Sequence, residues 1–386
     1  MLSLLIFLAV LSILVLGHEF GHYMAARICG VKADEFGYGF PPRALGFVRV
    51  NGKWKRVSAK DQGPYKNTIW SLNWLPLGGF VRLKGEEGEI KGETDSFASK
   101  KVLPRLFILA AGVMMNWLIA IVIFSIAFSV GVPTQTEGLP QGAVVRDKKV
   151  QIMEIVDKSP AQMAGIQAGD FLVSINGTRI TGSSQAQTLL HAQAENQPVA
   201  LTLLRGQQEI HLSAQEKYLE SVKRMALGVS LSDTGIVRFP IHQAIIQGCV
   251  TTFIYTKFIL FGLGALVRDL FVQHRLSADV SGPIGIAVMT GQIARQGIWS
   301  LAQFTALLSI NLAIINFLPI PALDGGRALF IVIEAIRRRK ASPLIEATIH
   351  RIGFALLLIL IVLVTTHDLF QYGGVIWNGL RQAVGL

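Results

Sequence analysis

Residues 1–16 form a charge-free apolar run that leads without a break into His18-Glu19-Phe20-Gly21-His22. A segment of this kind in hydrocarbon must be helical, because only a helix satisfies its own backbone amides there. Imidazole and carboxylate side chains at such a depth are costly and mark function. On a helix the two histidines, four residues apart, share one face and can hold a single Zn²⁺, with Glu19 beside them to take a proton from water. The motif points to hydrolysis within the bilayer. The plainer alternative is a histidine pair that only bonds helices together.

Hydrophobic residues make up 51% of the chain and charged ones only 16%, whereas a soluble domain averages about 25% charged. A mean hydropathy of +0.47 fits several membrane spans with one soluble domain. Cys29 and Cys249, the only cysteines, lie in or beside apolar segments and give neither a disulfide framework nor a thiolate metal cluster. The net charge of +11 is a topology signal rather than a nucleic-acid footprint. Lys and Arg crowd residues 27–105 and recur at 337–340, while acids and bases balance between 133 and 240. The positive-inside rule then puts the first two stretches in the cytoplasm and the third outside, with the N-terminus outside as well.

Four segments read as spanning helices: 1–27, 106–132, 299–323 and 349–366. A signal peptide is the competing reading of the first, but the basic n-region and small-x-small site are missing. Residues 241–270 are apolar but interrupted by Gln243, Gln247, Lys257 and Arg268, as in a helix lying in the interface. The expected organisation is an N-terminal membrane half (1–132), an extracytoplasmic module (133–240), an interfacial helix with linker (241–298) and a C-terminal membrane half (299–386).

A catalytic zinc takes three protein ligands and leaves a fourth position for water. The run Asn316-Phe-Leu-Pro319-Ile-Pro321-Ala-Leu-Asp324-Gly325-Gly326 supplies the missing carboxylate, with Asp324 expected to close the third span. His18 lies about 25 Å along a helix begun at Met1, toward the cytoplasmic side of a core about 30 Å thick. If the first three spans cross alternately, His18 and Asp324 arrive at the same depth, whereas a spanning 241–270 would separate them. Irregular, proline-rich backbone at that depth is tolerated where it lines a cavity.

On these residues the chain resembles the site-2 protease family of intramembrane zinc metalloproteases, RseP-type, over nearly its whole length. The matching pieces come in family order: HEFGH at 18–22, PLGGFVRL at 76–83, AAGVMMN at 110–116, a PDZ-like stretch, SGPIGIA at 281–287 and NFLPIPALDGG at 316–326. The resemblance implies His18, His22 and Asp324 as zinc ligands, Glu19 as general base, and substrate-positioning roles for Asn316 and Asn311. The fold expected is a polytopic α-helical membrane protein: four transmembrane helices, a membrane-associated β-hairpin and one inserted, mostly β, PDZ-like domain.

Pro76 to Leu83 sets turn residues before β-favouring ones and reads as a hairpin. In the resembling family it dips toward the metal, where a strand edge at Gly79, Phe80 and Val81 would hold an unwound substrate through backbone hydrogen bonds. Gly112 to Asn116 reads as close helix packing plus one hydrogen bond. Between 142 and 215, strand-like 150–156 precedes Ser159-Pro160-Ala161, Gly169-Asp170 and 171–177, a pattern that resembles a bacterial PDZ domain. Many RseP-type enzymes carry two such domains in tandem, and the roughly hundred residues between spans here hold about one.

The expected function is a zinc endopeptidase of the bacterial inner membrane. It would cut single-span membrane proteins already shortened by an upstream site-1-type protease, anti-sigma factors and signal-peptide remnants among them. Its partners would be those substrates and the lipid bilayer, with no nucleic acid. The alternative, a catalytically inactive membrane PDZ adaptor, would lack a full ligand set. A zinc transporter would need polar residues along a path through the membrane, and here they cluster at one end.

Overall fold

The computed structural model describes residues 2–59, 61, 63, 65–86, 93–140, 142–191, 197–206, 208–219, 224–273, 282–339 and 342–384. Ser281, which opens the SGPIGIA stretch, lies outside the described residues. In chain order the elements are α1 (Leu2–Ile28), β1 (Ala33–Val50), β2 (Lys53–Val57), β3 (Ile69–Leu83), α2 (Val102–Val130), β4 (Val132–Gln135), β5 (Val144–Ile155) and α3 (Pro160–Met163). Then come β6 (Phe171–Ile175), β7 (Thr178–Arg179), α4 (Ser183–His191), β8 (Pro198–Arg205), β9 (Gln208–Gln215), β10 (Lys217–Leu219), β11 (Arg224–Ala226) and β12 (Val229–Arg238). The last are α5 (Ile241–Gln273), α6 (Pro283–Gln296), α7 (Ile298–Phe317), α8 (Asp324–Arg337) and α9 (Pro343–Val384). Contacts divide them into one compact unit of residues 1–124 with 248–386 and a second of 125–247.

In the first unit, α1 runs long because no proline interrupts it, and α2 because its only proline, Pro104, sits in the first turn where no intrahelical N–H is needed. Five helices are long and apolar enough to cross a membrane: α1, α2, α7 and α9, together with residues Ile241–Asp269 of α5. Length and composition thus give one candidate more than the four expected. The third expected span is also shorter than its apolar run, because Pro319 and Pro321 hold the backbone before them extended and α7 stops at Phe317. Asp324 therefore opens α8 instead of closing the span.

The expected hairpin is more elaborate than a self-paired turn. Gly78, at φ +75°, bends β3, and both of its arms pair with β1: Tyr38 is matched with Leu72 on one side and with Gly79 on the other. The first part of β1 is thereby sandwiched, and 79–83 becomes the outer strand. Asn51 and Gly52, both at positive φ, make the two-residue turn between Val50 and Lys53 that joins β1 to β2. The bent end of the sheet packs deep along α1, with Tyr38 Oη 3.0 Å from Ser12 Oγ. Within the sheet, burial alone would raise the Glu35 carboxyl, but the forked hydrogen bonds from Arg43, 2.9 and 2.6 Å long, hold it below its ordinary value. Val31, Leu83, Phe97, Ile108, Leu109 and Ile331 form the core beside this sheet.

In the second unit a seven-stranded sheet runs β4-β12-β5-β6-β8-β9, with β7 on β6. Asn176 and Gly177, again at positive φ, turn β6 into β7. The sheet takes in strands on either side of the PDZ-like 142–215 stretch, because β12, the last strand in chain order, inserts between β4 and β5. Val150, Ile152, Leu172, Leu201 and Leu203 fill its core with Ala161 of α3 and Ala186 of α4. Asp170 is almost wholly buried. Burial would raise its carboxyl, but hydrogen bonds from Arg205 and from the Gln167 amide hold it below the usual range.

Candidate metal centre

Helix α1 presents His18 and His22 on the face that meets α2. Small residues make the approach possible, since a Cβ on Gly21 would strike the Ala111 carbonyl and one on Gly112 would overlap both imidazole rings. Asp324 arrives from the start of α8 through a tightly folded loop. A Cβ on Gly325 would meet the carbonyls of Phe317 and Leu318, and one on Gly326 that of Ile320. The loop is held from α9: the Ala322 N–H donates to His350 Nδ1 at 2.8 Å, with Ala322 itself at φ +78°.

These elements bring three potential ligand atoms together. His18 Nε2 and His22 Nε2 are 3.1 Å apart, and Asp324 Oδ2 lies 2.9 Å from the first and 3.1 Å from the second. His22 Nδ1 donates to the Ile108 carbonyl at 2.8 Å, which leaves the lone pair on Nε2. Asn116, fully buried, has its amide 3.3 Å from His18 Nδ1 and an Oδ1 without a partner. An amide can present either end. With Oδ1 toward the ring it accepts from His18 Nδ1–H, and the second Nε2 lone pair is freed. Two imidazole lone pairs and a carboxylate oxygen then converge with no proton to share, and a cation such as zinc satisfies all three.

Glu19, next in sequence to His18, accepts the Val81 N–H into its Oε2 at 3.0 Å. Asn316 Nδ2 is 3.4 Å from His18 Nε2. Asn311, five residues earlier on α7, lies about 140° around the helix from Asn316, and among the described residues no hydrogen bond joins its side chain to this group. Gly79 packs against Leu16 of α1, and the Phe80 ring covers Gly37. Sequence reasoning passed over three neighbours and read two more only in part. His350, Glu86 and Arg327 carry no spacing signal, while Gly112 and Asn116 read only as packing and one hydrogen bond, both of which they provide, but at the histidines.

Apolar spanning helices around a buried His-His-carboxylate set, with a further carboxylate alongside, define a membrane-embedded zinc protease. The chain belongs to peptidase family M50, the site-2 protease family, whose model matches residues 6–360. It is 28% identical to the zinc metalloprotease RasP of Geobacillus kaustophilus, over 96% of this chain and 98% of that one. It is 27% identical to the regulator of sigma-W protease RasP of Bacillus subtilis, over 95% and 98% of the two chains. Among solved structures it is similar to the PDZ domain of an SdrC-like protein from Listeria monocytogenes, at 19% identity and a TM-score of 0.21, covering 23% of this chain and 92% of that one. The protein is a multi-pass membrane zinc metalloprotease.

Proposed function

We propose that the enzyme cuts the transmembrane segments of single-span proteins after another protease has trimmed their outer domains. In this reading His18, His22 and Asp324 hold the zinc, which when bound supplies Lewis acidity toward the scissile carbonyl and the attacking water. Glu19 takes the proton from that water and returns it to the leaving amine. Asn316 orients the substrate beside His18.

The observation that carries the reading is the outer edge of β3. A helical substrate shields its peptide bonds and must unwind, and an extended chain needs backbone partners. Residues 79–83 offer an edge whose inner side is paired with β1 and whose Val81 amide turns toward Glu19. A peptide added there would lie alongside the group of ligand atoms.

Trimmed ends have a candidate reader in the second unit. A cavity of about 420 Å³ is lined by 229–231 of β12, by Gln187 and Leu190 of α4, and by Leu227. Residues 229–231 pair with β5 on one side, and β4 joins β12 only from Thr234 onward, so among the described residues their other side carries no strand. We place this unit outside the bacterial inner membrane on the charge distribution. Substrates of the anti-sigma kind fit the name of the Bacillus subtilis relative, regulator of sigma-W protease.

The test compares membrane fragments that accumulate in cells carrying the wild-type enzyme or Glu19→Gln. Trimmed single-span fragments should build up only with the variant. Identical fragment sets would leave a membrane adaptor as the better reading.

A further inference from the structure

We infer that Glu86 and Arg327 form a positioning link, fixing the C-terminal end of the β3 edge against the helix that carries Asp324 and so setting which peptide bond meets the metal. This rests on the strand-addition reading above.

Successive amides of a strand point to opposite sides, so Val81 and Leu83 present theirs the same way. Both are occupied by carboxylates. Val81 donates to Glu19 at 3.0 Å and Leu83 to Glu86 Oε2 at 3.3 Å. The other oxygen of Glu86 pairs with Arg327 Nη1. Arg327 stands three residues after Asp324 and shares its face of α8. The same face is pinned further along by the buried Ile331 and by Glu334, which pairs with Arg105 of α2 at 3.0 Å. One line of contacts therefore joins Asp324 to the end of the strand edge.

The consequence is a register stop. A peptide pairing with the edge must take the Val81 amide over from Glu19 and then meets the Leu83 amide held by a carboxylate that Arg327 anchors, so its pairing ends there. Without the link the edge and Asp324 can shift independently, and small displacements at a reacting bond are costly. Arg327 and Glu86 touch neither the ligand atoms nor the scissile bond, so they act by placement.

The experiment uses the full-length enzyme in lipid nanodiscs with a synthetic single-span substrate. Arg327→Glu and Glu86→Arg should each lower kcat about tenfold with KM changed less than about threefold. Zinc stoichiometry should stay at that of wild type, and mass spectrometry should find cuts spread over neighbouring bonds. The combined swap Glu86→Arg/Arg327→Glu restores the ion pair but not the acceptor for the Leu83 amide, so it should return most of kcat while the cuts stay spread. Hydrogen exchange at the Leu83 amide, read without substrate, should be fast in the single variants and in the swap alike, because arginine at position 86 offers no acceptor. Glu86→Gln and Arg327→Lys serve if the reversals fail to fold. Unchanged kcat with one unshifted cut overturns the inference, and so does loss of zinc without rescue in the swap. Val81→Pro separates the two ideas: normal cleavage by that variant sinks strand addition, whereas the cut position in the Arg327 and Glu86 variants reports on the link itself.

Discussion

The backbone N–H of Val81 lies 3.0 Å from the Glu19 carboxylate, so the outer edge of β3 is hydrogen-bonded to the residue that follows the first histidine. A strand that would hold substrate and a carboxylate that would handle its proton are thereby one assembly. Moving either one moves the other.

Val81→Pro removes that donor and cannot restore it. Cleavage of a transmembrane substrate should fall by about a hundredfold, as expected when a catalytic group is misplaced by an ångström. Zinc content should stay at the wild-type level. Normal turnover in a folded, zinc-loaded variant would show that the edge is scaffolding.

Glu19→Gln should keep its zinc and lose about a thousandfold or more in kcat, because it removes a proton acceptor and no ligand. His18→Ala, His22→Ala and Asp324→Ala should instead lose metal. Zinc measured by atomic absorption, set against activity, separates the two classes. A Glu19→Gln protein without zinc would make Glu19 a ligand.

Gly112→Ala adds a methyl group where both imidazoles sit. The rings must tilt, and zinc affinity should drop about ten- to hundredfold, the range seen when groups that orient ligands are disturbed. Titration with a competing chelator measures it. An unchanged affinity would mean that α2 yields at this point.

The second unit should show a pH signature from Asp170. Its folded-state pKa is depressed, so the pair with Arg205 contributes stability above the unfolded carboxyl value of about 3.9 and loses it as pH falls through the folded value. Arg205→Leu leaves the buried carboxylate unpaired and should cost roughly 3 kcal/mol at neutral pH. The gap between wild type and variant should narrow as pH falls, first as the unpaired carboxyl of the variant takes up its proton and then as that of the wild type does. Limited proteolysis of the intact protein across pH 3–7 would show it, and a gap that widens in acid would refute the assignment.

The histidine motif and the apolar runs were legible because helical spacing is local: a four-residue step puts His18 and His22 side by side whatever surrounds them. Asp324 was legible through its Pro-Gly surroundings, although the same prolines made it open a helix. What could not be read depends on distant pairing. Nothing in 33–50 says that its first part will lie between two arms of 69–83, and nothing in 229–238 says that it will enter a sheet between strands 132–135 and 144–155. Glu86, Arg327 and His350 are single polar residues whose partners are up to 241 positions away.

The remaining prediction concerns α5, which length and composition alone would allow to span. Gly17 faces Ile119 and Gly21 faces Ala111, so α1 and α2 run in opposite directions. His18 near the end of α1 meets Asn316 near the end of α7, so those two run the same way. Ser3, at the start of α1, packs against Gly291 of α6, which leads directly into α7. The Gly282 and Gly285 amides at the head of α6 donate to Asp368 far along α9. By Gly282 the chain is thus back on the side where α1 starts, which the charge distribution predicts to be the outer one. Had α5 crossed to the inside by Gln273, nine peptide steps would have to return it over a core about 30 Å thick, which needs a fully extended chain with unpaired amides in hydrocarbon. We therefore predict that α5 lies in the outer interface, its lysine and arginine reaching headgroups. On a background lacking Cys29 and Cys249, cysteines at Asn176 and Arg268 should both react with an impermeant maleimide added outside, while one at Arg338 should react only after the membrane is opened. An Arg268→Cys protein that labels only from inside would mean that α5 spans.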